Sequence, residues 1–246
     1  MDHQHLRAFL GQRVQDGVIT KLIGKWLKAG VLEGGTISYN EAGSPQGGVI
    51  SPLLSNIYLH EVPDKWFTKV ITPLLKGKSV IVRFADDSVL GFENREDAER
   101  VFKVLPKRFA RFGLQLHPDK TRLINFSKPP EDKGTSTWKR DTFNFLGFTF
   151  YWSRTRKGKW TVLRKTAKDR LRRSLRRIND WCKASRHQRM AIQCDVLNAK
   201  LRGHYQYFGV TGNFRSLQLY RFNILFNSTF ILERPKIYHS IYAANP

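Results

Sequence analysis

Apolar side chains near the N-terminus recur on a helical period: Leu6, Phe9, Leu10, Val14, Val18, Leu22 and Trp26. That spacing predicts one helix running to about Lys28. The period dissolves in the glycine-rich AGVLEGGTISYNEAGSPQGG, which leaves room for a short strand near Thr36–Tyr39. In SPLLSNIYLHEV, Ser51 is a candidate cap, Pro52 suits the first helical position, and Leu53, Leu54, Ile57 and Tyr58 make an apolar stripe. Strand-like runs follow at Val80–Ala85 and Ser88–Phe92. NREDAERVFKVLPKRFARFG is then an amphipathic helix, with Asn94 as its cap and Gly113 at its end. Further strands are expected in LQLHPDKTRLINF, TFNFLGFTFYW and KGKWTVLRK, with a polar loop over Lys128–Lys139. From Ala167 to near Glu233 the pattern is helical, interrupted around Gly209–Asn213, and no internal repeat stands out. The fold class is α+β: an antiparallel sheet with packed helices, then helices alone, with a boundary near residue 160.

At 246 residues the chain is long enough to bury a core, and a hydrophobic content of 41% with six Trp argues against disorder. No apolar run approaches a membrane span, and MDHQHLRAFL lacks the apolar stretch of a signal peptide. Cys182 and Cys194 have no close metal-ligand spacing and read as small core residues in a reducing cytosol. Charge changes this picture most, with 43 Lys+Arg against 20 Asp+Glu and a formal +23. Fifteen of those cations lie between Arg154 and Arg189, against two acids, Asp169 and Asp180. Such a surplus repels itself until a polyanion relieves it, so nucleic acid is the first candidate partner and an acidic membrane surface the second. In AKDRLRRSLRRINDWCKAS, the residues Leu171, Leu175, Ile178 and Cys182 form the apolar stripe. Arg172/Arg176 and Arg173/Arg177 are like-charge i,i+4 pairs, unfavourable unless phosphates lie opposite. RNA binding is the better reading of that run than a solvated face.

The sharpest local oddity is VIVRFADDSVLGF, where Asp86 and Asp87 interrupt two apolar runs. A hairpin turn would let both carboxylates converge, whereas an extended strand would send them to opposite faces. Two readings stand at this level: a plain type I′ turn with solvated aspartates, or a pair of hard ligands for Mg²⁺ of the kind used in phosphoryl transfer.

The motifs YNEAGSPQGGVISPLLSNIYLHEV, VRFADDSVLGF, GLQLHPDKTRLINF and FNFLGFTF occur in this order, and LNAKLRGHYQYFGVTGNFRSLQLYR follows. Together they resemble the reverse transcriptases encoded by bacterial group II introns, the intron maturases. The resemblance implies a partial polymerase palm over residues 1–160 and a helical, RNA-binding thumb/maturase domain over 161–246. It implies RNA-directed DNA synthesis by two-metal nucleotidyl transfer, with two Mg²⁺ ions (Mn²⁺ as substitute), and binding of intron RNA to assist splicing. Asp86 and Asp87 would be the catalytic metal ligands, and Ala85 would face the incoming nucleotide. Pro45, Gln46 and Gly47 would lie against template and nucleotide, and Lys120 near the triphosphate. FNFLGF would be the hairpin holding the primer end, while Arg172, Arg173, Arg176 and Arg177 would meet nucleic acid.

The implied partners are RNA template, DNA primer, dNTPs, group II intron RNA and a separate N-terminal reverse transcriptase fragment, with no membrane. The implied location is the bacterial cytoplasm, on the nucleoid when bound to DNA. Asp2-His3 match the end of an upstream family motif whose catalytic carboxylate is expected just before Met1, along with the fingers. The chain is accordingly expected to hold the C-terminal palm and thumb and to polymerise at no more than background alone. No Cys/His-rich endonuclease follows before Pro246. Two alternatives stand beside the polymerase reading. One is a non-catalytic RNA-binding maturase remnant, the other a domesticated reverse transcriptase of a CRISPR-associated or defence system.

Overall fold

The computed structural model describes residues 1–28, 31–33, 36–38, 49–130 and 141–231, with the backbone alone for 31–33, 36–38 and 227–231. The chain divides into two compact units, Met1–Leu123 and Ile124–Pro246. The boundary read near residue 160 marks a change in composition, and the compact units divide earlier, after Leu123. The strands after Phe143 belong with the basic helices.

In the first unit, α1 (His3–Gly11) starts where the Asp2 carboxylate accepts the Gln4 and His5 amides at 2.7 and 3.1 Å. The single helix expected to Lys28 is two helices. Asp16 caps α2 (Gly17–Lys28) by accepting the Val18 amide at 2.7 Å. The break resets the helical phase, so Ile23 and Leu27 are buried while Val18, Leu22 and Trp26 are exposed. Leu6, Leu10, Ile23 and Leu27 pack with Leu54, Tyr58, Val62 and Phe112 into one core. The Tyr58 hydroxyl donates to the Phe112 carbonyl at 2.5 Å, which ties α3 (Ser51–Leu59) to the end of α4 (Arg95–Arg111). Two short antiparallel strands, β1 (Val31–Glu33) and β2 (Thr36–Ser38), lie between α2 and α3. Ser51 is the first residue of α3 rather than its cap; the cap position is Ile50. The helix continues in wide turns at His60–Asp64 and Phe67–Ile71, where Pro63 breaks the regular hydrogen-bond ladder.

The strands β3 (Ser79–Phe84) and β4 (Asp87–Phe92) form an antiparallel hairpin whose Phe92 meets Phe67 edge-on. Asn94 stands at the N-cap of α4, and Gly113 beyond its end has φ +63, a conformation glycine adopts without strain. The strand expected in LQLHPDKTRLINF is absent among the described residues. His117–Lys120 make a turn closed by the Thr121 amide on the His117 carbonyl at 2.9 Å, with Pro118 unable to donate to a ladder.

The second unit holds an antiparallel sheet ordered β5 (Phe143–Phe145), β6 (Phe148–Arg154), β7 (Trp160–Thr166). One face is aromatic, with Phe143 stacked on Phe150 at 5.0 Å and Phe126 edge-on to Phe143. Three helices follow, α5 (Lys168–Ser185), α6 (Met190–Phe208) and α7 (Phe214–Ile231). Their core contains Ile178, Cys182, Cys194, Leu197, Leu201, Tyr220, Ile224 and Leu225, with Leu171 and Leu175 packed against it. Both cysteines are buried and free, as their spacing suggested. The break between α5 and α6 escaped the periodicity. Buried Gln193 makes it by donating to the carbonyls of Ser185 and Gln188 at 2.8 and 3.0 Å. The break at Gly209–Asn213 fell where expected. Buried Asn213 pins it to β7, accepting the Thr166 amide and donating to the Thr166 hydroxyl, both at 2.8 Å.

Candidate active site and nucleic-acid interface

The register of the first hairpin pairs Phe84 with Asp87, so the two turn residues are Ala85 and Asp86. Ala85 has φ +53 and Asp86 does not share a positive φ. This combination has the sign pattern of a type II′ turn rather than the type I′ expected from two central aspartates. Asp86 sits on the turn and Asp87 opens β4, and both are exposed. Among the described residues neither carboxylate has a hydrogen-bond or ion-pair partner in a side chain. Two adjacent carboxylates without a cation are the donor set that a hard divalent ion satisfies, and Mg²⁺ keeps several waters when only one or two carboxylates hold it. The fit is partial: no group of three or more His, Cys, Asp or Glu able to hold a metal occurs among the described residues.

One feature of this hairpin was missed in the sequence. Strand β3 alternates half-buried and exposed positions, and Arg83 is on the half-buried side with Ile81. Its guanidinium forks onto Asp64, Nε to Oδ1 at 2.9 Å and Nη2 to Oδ2 at 2.7 Å. Nη1 donates to Asn56 Oδ1 at 3.0 Å and to the Ala85 carbonyl at 2.9 Å. The available signal was a charged residue at an inward position of a strand, which requires partners.

Lys120 is exposed on its turn. Pro45, Gln46 and Gly47 lie outside the described residues. Arg172, Arg173, Arg176 and Arg177 all occupy the exposed side of α5, opposite Ile178 and Cys182. Asp169 approaches Arg173 only at 4.0 Å, and the other three have no ion-pair partner among the described residues.

The second hairpin turns at Leu146-Gly147, with φ +50 and +77, so both turn residues are left-handed as in type I′. Its tip is packed rather than free. The Tyr207 hydroxyl donates to the Leu146 carbonyl at 2.9 Å, and Phe148 stacks on Tyr207 and meets Phe208 edge-on. On the polar face of the sheet, Asn144, Thr149 and Lys165 form one row across the three strands. That row lines a cavity of about 500 Å³ together with Lys168, Asp169 and Arg172 from the first turns of α5. Three cations against one carboxylate make it attractive to an anion.

Residues 5–150 match the family model described as "Reverse transcriptase (RNA-dependent DNA polymerase)". The chain belongs to the reverse transcriptase family. Within it, the similarity is to group II intron-encoded members. The group II intron-encoded protein LtrA of Lactococcus lactis subsp. cremoris is 46% identical over 66 residues, 27% of this chain and 11% of LtrA. Protein YkfC of Escherichia coli (strain K12) is 29% identical over 196 residues, 65% of this chain and 46% of YkfC. The telomerase reverse transcriptase of Takifugu rubripes is 30% identical over 111 residues, 45% of this chain and 10% of that protein. The matched stretches thus span about a tenth of LtrA and under half of YkfC. The family match covers both the Asp86-Asp87 turn and the start of the second hairpin. Enzymes of this family act on nucleic acids and use divalent metals. No helix among the described residues is long and apolar enough to cross a membrane.

Proposed function

We propose that this chain is part of an RNA-directed DNA polymerase of group II intron type, with residues 1–160 as palm and 161–246 as thumb/maturase region. The observation that carries the reading is the pair of exposed carboxylates at the consecutive residues Asp86 and Asp87, without a cation partner among the described residues, inside a reverse transcriptase match. Asp86 and Asp87 would hold Mg²⁺ (or Mn²⁺), which when bound supplies charge stabilisation to the attacking and leaving oxygens of nucleotidyl transfer. Ala85, beside them, would face the nucleotide, with Pro45, Gln46 and Gly47 against template and nucleotide and Lys120 near the triphosphate. The arginines of α5 and the cationic cavity beside them would take the phosphate backbone, and FNFLGF the primer end. RNA template, DNA primer, dNTPs and intron RNA are the proposed partners, with assistance to splicing as the second role and the cytoplasm as the location.

A non-catalytic RNA-binding role is the second reading. It is favoured by the absence, among the described residues, of a third carboxylate beside the pair. Substituting Asp86→Asn or Asp87→Asn in the polymerase context separates the two. Loss of Mg²⁺-dependent primer extension with RNA binding intact supports the enzyme; extension that persists rejects it.

A further inference from the structure

The turn that carries Asp86 is conformationally expensive. A non-glycine residue is disfavoured in the left-handed region, so Ala85 at φ +53 has to be held by its surroundings. The tip itself is exposed and offers little packing to do so. Among the described residues, the side-chain hydrogen bond that reaches it comes from the Arg83 guanidinium to the Ala85 carbonyl at 2.9 Å. That carbonyl lies in the peptide plane joining Ala85 to Asp86, so fixing it fixes the plane from which the Asp86 side chain departs.

Arg83 is itself immobilised. Its side chain is 14% exposed and its fork is closed by Asp64, which also has His60 Nδ1 at 3.5 Å. The same Nη1 that holds the turn also donates to Asn56 on α3. One planar group therefore joins three elements: the wide-turn helix, α3 and the tip of the aspartate hairpin. A lysine could supply the charge but not three directed contacts from one rigid fork.

We infer that Arg83 is a positioning residue for the carboxylate pair, holding the Ala85–Asp86 peptide plane against Asn56 and Asp64 so that Asp86 and Asp87 present one geometry to a divalent cation. This inference rests on the reading of Asp86 and Asp87 as metal carboxylates. Its energetic logic is steep, since a misplacement of about 1 Å at a reacting centre costs on the order of a hundredfold in rate.

The test is Mn²⁺ binding to the whole chain, followed by electron paramagnetic resonance, with thermal melting measured on the same samples. Wild type is compared with Asp86→Asn, Asp87→Asn, Arg83→Lys and Arg83→Gln. The expected result is loss of Mn²⁺ binding in both Asn variants. In Arg83→Lys the melting temperature should stay within a few degrees while Mn²⁺ affinity falls about tenfold, consistent with lost preorganisation rather than lost fold. Arg83→Gln should lose at least as much affinity. A Lys variant that keeps Mn²⁺ affinity within about twofold, while the Asn variants lose it, overturns the positioning role and leaves the metal reading standing. Unchanged binding in the Asn variants overturns both. Should Arg83→Lys fail to fold, Asp64→Asn loosens the fork while leaving Arg83 in place. A loss of affinity without a loss of melting temperature there supports the inference, and no loss rejects it. In primer extension by a polymerase containing this chain, Arg83→Lys should lower kcat about a hundredfold with the nucleotide KM within threefold.

Discussion

Two hairpins of this chain have the same length of turn and opposite means of support. Phe84-Ala85-Asp86-Asp87 closes an exposed tip, with one strained alanine, two carboxylates without a side-chain partner among the described residues, and a hydrogen bond from Arg83 beneath it. Phe145-Leu146-Gly147-Phe148 closes a packed tip, with Tyr207 bonded to its carbonyl and Phe148, 8% exposed, set against Tyr207 and Phe208. The first tip is shaped by polar contacts made from behind, which leaves its outer face clear. The second is shaped by aromatic packing around the buried Phe148 ring and by the Tyr207 bond to its backbone. A group meant to meet a cation or a nucleotide belongs on the first kind of turn; a group meant to brace a backbone belongs on the second.

The largest effect that separates the tips is chemical. Asp86→Asn or Asp87→Asn in the polymerase context should reduce Mg²⁺-dependent synthesis by a hundredfold or more, measured by primer extension, with melting unchanged because both side chains are exposed. An equal loss of stability would mean that the first tip is structural like the second.

The charge beside the second hairpin gives the next. Replacing Arg172, Arg173, Arg176 and Arg177 by Gln should flatten the log–log salt dependence of single-stranded RNA binding by roughly 2 to 3, at about 0.7 per contact. Folding should survive, since the four lie off the buried stripe. An unchanged slope would return them to a solvated face.

The packed tip should also be sensitive to acid. His204 is buried, stacks on Tyr220 at 3.6 Å and neighbours Phe208, which supports Phe148. Burial lowers its pKa from 6.5 to about 4. The unfolded chain therefore takes up a proton at higher pH than the folded one. The stability contribution is complete above about pH 6.5 and is lost as pH falls toward 4, by roughly 3 kcal/mol. Denaturant melts of wild type and His204→Phe at pH 7 and pH 4.5 should show the drop in wild type alone.

The smallest effects come from the turn residues themselves. Gly147→Ala, at φ +77, should destabilise by about 1–2 kcal/mol through backbone strain, since the space around it permits a methyl group. Ala85→Gly should change melting by less than about 1 kcal/mol, as relief of the left-handed strain offsets the added chain entropy. A large loss in Ala85→Gly would show that the first tip depends on packing after all.

Local pattern made much of this molecule legible. The aspartate hairpin, the amphipathic α4, the basic face of α5 and the break at Gly209–Asn213 each follow from spacing within a few residues, because period and turn chemistry act locally. The group II intron motifs named the family for the same reason: they are short and contiguous. Other features depended on partners distant in the chain. Gly11 and Asp16 were the local signals for the break that the apolar period obscured, and the phase of the buried stripe beyond it was set by which face met Leu54 and Tyr58. The turn register, with Asp87 in the strand and Ala85 left-handed, was decided by strand pairing and by Arg83 reaching Asp64 and Asn56, residues 19 and 27 positions away. The strands after Phe143 joined the helical unit because Asn213 and Tyr207 bond to Thr166 and Leu146, 47 and 61 positions apart. Sequence by itself determined which chemistry the chain carries, since residue types and their near spacing are written in it. Tertiary structure alone decided which of those groups are held and which are free, because that depends on contacts that form only when remote segments close on each other.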